Sequence, residues 1–179
     1  RLTMIHGNER LMPTHPAGVA RRMEAAMRER NIDVRLKATV TGFRDGFLQM
    51  AGQAPLTVDA VVWATQATPA PLLRDTGLPV DPGGFLRVRP TLQSVDDPSV
   101  FGTGDCVAFD DFPALPRNGV HAVRQGRVLI DNVFAFLHER PLRPFHPQRV
   151  TLALFNSADG EAIFSYGPLT LKSRWARKL

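Results

Sequence analysis

The sequence has little of several features that would each mark a class of protein. It contains one cysteine, Cys106, among 179 residues, which excludes an internal disulfide and a Cys-x-x-Cys redox pair in this chain. It has no run of about eighteen apolar residues, so no transmembrane helix is predicted. No segment has the pattern of a secretory signal peptide, and we expect a cytoplasmic protein. The apolar fraction of 44% is enough for a buried core.

The positive charge is unevenly distributed. The formal net charge is +5, and most of the excess lies after residue 137. A solvated face, an anionic partner and contact with the inner membrane surface are all compatible with this basic tail. The basic residues form no aromatic-interleaved groove and match no nucleic-acid-binding motif, so no nucleic-acid partner is predicted.

The opening of the chain predicts a strand, a helix, a strand, a hairpin and another strand. Residues 2–5 are apolar, and residues 17–30 repeat with the period of an amphipathic helix. An alternating stretch follows, and Asp45-Gly46 between two apolar runs predicts a hairpin turn. The continuous apolar run 59–65 predicts a buried strand ending in a turn of small residues.

The rest of the chain predicts a crossover, a long helix and a hairpin. Residues 66–98 are rich in Pro and Gly but keep apolar anchors, with a short strand over 84–88. A helix is expected over 119–137, ended by later prolines. Residues 148–166 predict a two-stranded hairpin, and 169–179 the start of a basic amphipathic helix. The residues expected to face inward from the long helix are Val123, Ile130, Val133, Phe134 and Leu137.

Two short stretches carry the chemistry. After the apolar Val100-Phe101 come Gly102-Thr103-Gly104-Asp105. Glycine lets a backbone approach a ligand closely, and an acid at this place can accept hydrogen bonds from sugar-type hydroxyls. The stretch 116–126 predicts a helix start, whose free N–H groups suit an anion or a polarised carbonyl.

Together these stretches resemble the second flavin-binding segment of the FAD-dependent pyridine nucleotide-disulfide oxidoreductases. The resemblance implies an α/β, three-layer FAD/NAD(P)-binding (Rossmann-like) fold, present in part, with a carboxy-terminal β-hairpin. It implies that Asp105 binds the ribityl part of FAD and that the following helix points at the flavin ring. The implied cofactor-binding residues are Gly102, Gly104, Asp105, Asn118, Gly119, Val120, Ala64 and Thr65.

The resemblance also implies an organisation and a reaction. Residues 1–66 correspond to the second half of an NAD(P)-binding domain, 67–147 to the crossover and the end of an FAD-binding domain, and 148–179 to the hairpin and basic helix. NAD(P)H would give a hydride to FAD, which would reduce a small-molecule acceptor. The family's Gly-x-Gly-x-x-Gly turns are absent from this sequence. We therefore expect a partner in a missing amino-terminal part of the same protein, and an inactive isolated fragment.

The ending of the chain narrows the resemblance. Residues 152–169 are similar to type II NADH dehydrogenases and to the FAD domain fused to selenide, water dikinase. Four positions depart from the family pattern. Gln66 replaces a turn glycine, and His6, interpreted as a surface residue, replaces a ribose-binding acid. Val120 and Arg124 replace two quinone-facing glutamines.

A non-catalytic scaffold domain in a selenide, water dikinase fusion is the alternative function. Asp105 argues against it, because a buried acid without a ligand is costly. We expect Cys106 to be a packed thiol without a redox role and His121 to be structural or exposed. No metal site and no general acid or base is predicted.

Overall fold

Helix α1 and its two neighbouring strands form where the sequence predicts them. Strand β1 (Thr3–Ile5) and strand β2 (Asp33–Arg35) pair in parallel, and helix α1 (Ala17–Arg28) connects them. The chain leaves the helix at Asn31, whose φ of 56° is a conformation that asparagine tolerates better than most residues. This order of elements is the βαβ unit of α/β proteins.

The chain folds into two units that are not contiguous in sequence. The computed structural model describes residues 1–65, 67–148 and 150–178. The first unit is Arg1–Trp63 with Val150–Leu179, and the second is Ala64–Arg149. The carboxy-terminal strands therefore belong to the same unit as α1.

The predicted hairpin in the first unit is confirmed and has a third strand. The antiparallel sheet contains β3 (Val40–Arg44), β4 (Phe47–Met50) and β5 (Gln53–Thr57). Asp45 and Gly46 have φ angles of 52° and 79°, as a tight hairpin turn requires. Strand β5 was not predicted, because only Leu56 among its side chains is even half-buried and the apolar signal is weak.

The carboxy-terminal residues form a second antiparallel sheet, of strands β8 (Leu152–Asn156), β9 (Ala162–Tyr166) and β10 (Leu169–Ser173). Strands β8 and β9 are the predicted hairpin. The basic helix predicted over 169–179 is wrong: β10 occupies its first half, and a short 3-10 helix, Trp175–Lys178, follows. Gly167, at a φ of 54°, makes the turn that sends the chain back along β9. Leu179 lies outside the described residues.

An ion cluster joins this sheet to the end of α1. Lys172 Nζ lies 2.7 Å from Asp159 Oδ2 and 3.9 Å from Glu29 Oε2. The hydrogen bond from Lys172, followed by that from the Ser157 hydroxyl, holds the pKa of Asp159 well below its usual range. The same bond to Asp159 raises the pKa of Lys172.

The second unit is built on a parallel strand pair. Strand β6 (Leu86–Val88) pairs with β7 (Val107–Phe109), and the unit also contains helices α2 (Leu72–Asp75) and α3 (Gly119–Leu137) and a 3-10 helix, Gly104–Cys106. The strand predicted over 84–88 is confirmed as β6. The core of the second unit consists of Leu86, Val88, Leu92, Val107, Phe109 and Phe145. Phe101, predicted to end a strand, forms only an isolated bridge with Gln93.

Helix α3 has the predicted bounds, but four of the five residues expected to face inward do not. Val123, Ile130, Phe134 and Leu137 are 60–70% exposed, and Val133 is half-buried. The fully buried residues of the helix are polar, His121, Gln125 and Asn132, while Val128 and Leu129 are partly buried against the core of the unit. Asn132 Nδ2 donates to the carbonyls of Thr91 and Arg143, and its Oδ1 accepts from the Arg143 N–H. These bonds explain why Asn132 faces inward. Its amide ties the loops that contain Thr91 and Arg143 to the helix, and buried polar groups need such hydrogen-bond partners.

The strand predicted over 59–65 is also wrong. This segment has no regular structure, and Val62 and Trp63 are 90% and 55% exposed. No strand among the described residues pairs with it, and an unpaired strand has no ladder hydrogen bonds to stabilise it.

The α/β character and the carboxy-terminal hairpin are confirmed. In the described ranges, no helix is long and apolar enough to cross a membrane.

Candidate cofactor-binding site

The Gly102–Gly104 turn needs its two glycines for different reasons. Gly102 is buried, and a Cβ there would lie 2.8 Å from both Leu86 Cδ2 and Val107 Cγ1. Gly104 has a φ of 74°, which strains other residues. The small size of Gly102 serves the packing of the core, and its contact with a ligand stays a prediction.

Gln125 fastens this turn to helix α3. Its side chain is 2% exposed. The Gly104 N–H donates to Gln125 Oε1 at 2.6 Å, and the Thr103 hydroxyl donates to the same oxygen at 3.1 Å. One buried amide oxygen therefore accepts both a side-chain and a backbone hydrogen bond from the turn and fastens it to α3.

Asp105 and Cys106 are both exposed. Asp105 lies in a 3-10 helix, Gly104–Cys106, with its carboxylate available to an external donor. The expectation that it is a buried acid is wrong, and the cost of burial no longer argues against the scaffold alternative. Cys106 is not a packed thiol either, although its Sγ lies 3.1 Å from the Thr103 carbonyl oxygen as a hydrogen-bond donor.

The start of helix α3 supplies N–H groups. Asn118 caps it, with Oδ1 accepting from the His121 N–H at 3.1 Å. No acidic side chain lies in the first turn. The N–H groups of Gly119 and Val120 belong to the turn whose donors have no partner within the helix. The positive end of the helix therefore favours an electron-rich ligand edge.

A cavity of about 380 Å³ in the second unit joins these parts. The polar residues among its lining are Asp81, Asp105, Asp110, Arg117, Asn118, His121 and Gln125. Phe109 and Phe112 supply apolar wall. An acid, a helix N-terminus and a flat apolar wall around one concave space suit part of a polar, ring-containing ligand.

His121 is a buried histidine at this cavity. It is 4% exposed, and its Nδ1 is buried with no hydrogen-bond partner among the described residues. Burial, followed by the charge of Arg124, lowers the pKa of His121, so its ring is neutral at neutral pH. A buried ring nitrogen without a partner costs free energy, which a ligand can recover if it supplies the missing bond.

Arg117 fixes the loop that leads into α3. Its guanidinium lies 3.5 Å from the centre of the Phe85 ring, and Nε donates to the Val107 carbonyl at 3.2 Å. Nη2 lies 3.5 Å from Asp81 Oδ2. Stacking, a hydrogen bond and an ion pair together hold the Pro116–Asn118 edge of the cavity in place.

Three of the eight predicted residues, Gly104, Asp105 and Asn118, line this cavity. Gly102 is buried against the core, and Gly119 and Val120, at the start of α3, border a separate depression beside Val123, Arg124 and Arg127. Ala64 and Thr65 are exposed, in a segment without regular structure, and are not among the residues that line the cavity. Gln66 lies outside the described residues.

Three further observations concern His6, metal-ligating side chains and two residues at the cavity. His6 is half-buried with an unpartnered buried Nε2, so its interpretation as a surface residue is wrong. Within the described part of the chain, no group of three or more His, Cys, Asp or Glu side chains is arranged to hold a metal ion. Gln125 and Asp81 were missed as site residues. The spacing of Asn118, His121 and Gln125 on one helix face was the available signal.

Two curated proteins are similar in sequence to nearly all of this chain. A type II NADH:quinone oxidoreductase of Haemophilus influenzae is 24% identical over 185 residues, covering 99% of this chain and 42% of the relative. A demethylphylloquinone reductase of Synechocystis is 27% identical over 172 residues, covering 93% of this chain and 43% of the relative. The chain thus spans less than half the length of these curated relatives.

Solved structures share the fold. NDH2 of Plasmodium falciparum, solved with NADH, matches with a TM-score of 0.78 at 14% identity, over 98% of this chain and 52% of that one. An FAD-dependent pyridine nucleotide-disulphide oxidoreductase of Desulfovibrio vulgaris matches with a TM-score of 0.68 at 21% identity, over 92% and 42%. The FAD/NAD(P)-binding, Rossmann-like fold class is confirmed. The pyridine nucleotide-disulphide oxidoreductase family model matches residues 1–126, and this chain belongs to that family.

Proposed function

We propose that this chain is the carboxy-terminal portion of a flavin-dependent oxidoreductase that passes a hydride from NAD(P)H to FAD and then to a second, small-molecule acceptor. The observation that carries the proposal is the cavity between Asp105 and the start of α3. Family membership and the two quinone-reducing relatives support it.

The residues of the cavity fit part of FAD. The exposed carboxylate of Asp105 would accept hydrogen bonds from the ribityl hydroxyls. The free N–H groups at Gly119 and Val120 lie at the positive end of α3, where they stabilise negative charge by about 0.3–1 kcal/mol. The unpartnered Nδ1 of His121 offers a further polar contact. FAD, when bound, would supply the redox chemistry, with NAD(P)H as the hydride donor, and these residues would bind and orient the flavin.

The nicotinamide cofactor is assigned to the first unit with less detail. Strand β1, helix α1 and strand β2 form the βαβ element on which such cofactors bind in doubly wound folds. His6 follows β1, where the family carries a ribose-binding acid. We propose weak nicotinamide binding or a preference for the phosphate-bearing cofactor. Ala64 and Thr65, which belong to the second unit, stay predicted cofactor contacts that are not assigned to this element.

The acceptor is proposed only as a small molecule. The relatives from Haemophilus influenzae and Synechocystis act on quinones by name. Val120 and Arg124 replace the two glutamines that face the quinone in type II NADH dehydrogenases. An apolar and a cationic side chain cannot both accept and donate hydrogen bonds as glutamine does, so a quinone is not assigned.

The 179 residues are proposed to need the rest of a longer protein. The relatives extend well beyond the matched region, and this sequence has no Gly-x-Gly-x-x-Gly turn to hold a pyrophosphate. The isolated chain is therefore expected to be colourless after purification. A yellow isolated chain with about one flavin per molecule would contradict this part of the proposal.

The test of the function is the absorption spectrum of the full-length protein before and after NADH or NADPH is added. A flavin band that bleaches with either nucleotide supports the oxidoreductase proposal. A colourless protein, or a band that neither nucleotide changes, contradicts it. That outcome supports the alternative, a non-catalytic scaffold domain fused to selenide, water dikinase.

Peripheral membrane contact is a second proposal, and the outer face of the β8–β10 sheet favours it. Two cross-strand rows, Leu152–Tyr166–Leu169 and Leu154–Phe164–Leu171, place apolar side chains on one face. Of these, only Phe164 is less than 38% exposed. Trp175, 61% exposed, lies in the following 3-10 helix. An apolar face with an aromatic residue beside basic sequence suits an anionic bilayer surface.

Co-sedimentation with vesicles of phosphatidylglycerol tests this second proposal. The full-length protein is expected to bind these vesicles, and a Leu154→Asp, Leu171→Asp double variant is expected to bind at least tenfold less. Since both leucines are exposed, the variant should keep its fold. Equal binding by the two proteins would contradict a role for this face.

A further inference from the structure

Among the described residues, none makes a side-chain hydrogen bond or an ion pair that fixes the carboxylate of Asp105. It is exposed, and its place is set by the backbone of the Gly102–Cys106 segment. Within that segment Gly104 has a φ of 74°. Glycine adopts many other backbone conformations as easily, so its own preference does not fix the turn in this one. Something outside the turn must therefore hold it.

Gln125 supplies a contact from outside the turn that holds it. Its Oε1 accepts from the Gly104 N–H at 2.6 Å and from the Thr103 hydroxyl at 3.1 Å, across more than twenty residues of sequence. The side chain is 2% exposed, so water does not compete freely for these two bonds. Gln125 lies two turns after the cap Asn118 on the same helix, and both line the cavity.

We propose that Gln125 is the positioning residue that couples Asp105 to the start of helix α3, so that both parts meet one flavin in fixed geometry. The inference rests on the proposed function. It assigns a role to a residue that touches the turn beside the acid and not the reacting atoms. The two bonds predict that loss of the amide loosens the acid relative to the helix N-terminus.

The helix contains a matched control. Asn132 is a second buried amide of α3, fully buried and bonded to the Thr91 and Arg143 backbone. It anchors the helix to other loops and is not among the residues lining the cavity. A leucine at either position removes a buried amide from α3, but only the change at Gln125 frees Gly104.

The experiment compares four full-length proteins: wild type, Gln125→Leu, Gln125→Glu and Asn132→Leu. Each is stripped of flavin, and the dissociation constant for added FAD and the thermal midpoint of the apoprotein are measured. Gln125→Leu is expected to raise the FAD dissociation constant about tenfold to a hundredfold, as for two ordinary hydrogen bonds. Gln125→Glu keeps an acceptor oxygen and is expected to restore most of the affinity.

The control separates positioning from stability. Asn132→Leu is expected to lower the thermal midpoint at least as much as Gln125→Leu and to change the FAD dissociation constant less than threefold. Equal FAD affinity in Gln125→Leu and wild type, no rescue by glutamate, or equal losses in Gln125→Leu and Asn132→Leu would overturn the role of Gln125 alone. A wild type that binds no FAD would overturn the proposed function, and this inference with it.

Discussion

The two long helices of this protein differ in the residues that they bury completely. Helix α1 of the first unit buries Val19, Ala20 and Ala26, as its apolar period predicts. The fully buried residues of helix α3 in the second unit are polar, His121, Gln125 and Asn132, and its apolar residues are either exposed or only partly buried. A helix that only covers a sheet needs an apolar face, whereas a helix that fastens loops and borders a binding cavity needs polar groups inside. Two of the three fully buried polar residues of α3, His121 and Gln125, line the cavity, and the third, Asn132, anchors the helix to loops.

The largest expected effect comes from placing a charge on each helix. Val19→Asp, at a fully buried position, is expected to destabilise the first unit by about 3–5 kcal/mol, as an uncompensated buried charge does. Val123→Asp, at a 67% exposed position, is expected to change stability by less than about 0.5 kcal/mol. Hydrogen exchange of the two helices in the 179-residue chain measures both. Comparable losses of protection would mean that the stripe on α3 is covered in solution.

The next effect concerns the buried amide that anchors α3. Asn132→Leu leaves the carbonyls of Thr91 and Arg143 and the Arg143 N–H without their partner. We expect a loss of about 1–3 kcal/mol in the stability of the second unit. Chemical denaturation followed by circular dichroism measures it. A neutral or stabilising substitution would show that an apolar face serves α3 equally well.

The sequence predicts local features of the fold better than pairing between distant segments. The Asp45-Gly46 turn was predicted because its two residues select the turn without help from other segments. The strand over 59–65 was wrongly predicted, since an apolar run does not say whether a partner strand is available. Likewise, residues 169–173 alternate as a strand, but the basic residues after them suggested a helix.

In the candidate site, too, local features were predicted and contacts between distant segments were not. The order of glycines and acid in Gly102–Asp105 was sufficient to predict the turn and its acid. Gln125 was missed because a glutamine inside a helix gives no signal by itself. Its partner Gly104 is 21 residues away in sequence, and only the fold shows that one amide oxygen serves the turn.

A smaller effect is expected from the titration of His121. Because burial lowers its pKa in the fold below the ordinary 6.5, the stability tied to its neutral form is present above that value and lost as the pH falls. The second unit should therefore lose stability between about pH 7 and 5, above the range in which ordinary carboxyls titrate. His121→Phe keeps a ring and should flatten this dependence. Parallel pH profiles for the two proteins would contradict a buried, titrating His121.

The smallest effect is expected at the ion cluster of the first unit. The pKa of Asp159 is lowered, so its contribution to stability is present above the ordinary pKa of 3.8 and lost as the pH falls further. Lys172→Met removes the main cause and should lower the thermal midpoint slightly at pH 7, with a shallower loss on acidification. Tryptophan fluorescence reports on this unit alone, because Trp63 and Trp175 both belong to it. Identical profiles would show that the pair contributes nothing measurable.

The most direct measurement of the central claim is an FAD titration of the full-length apoprotein beside its Asp105→Ala variant. Asp105 is exposed, so the variant should keep the stability of the wild type. Loss of hydrogen bonds to a charged acceptor should raise the FAD dissociation constant about tenfold to a hundredfold. That result would place FAD at the cavity beside helix α3. Equal affinity for FAD in the two proteins would contradict the account.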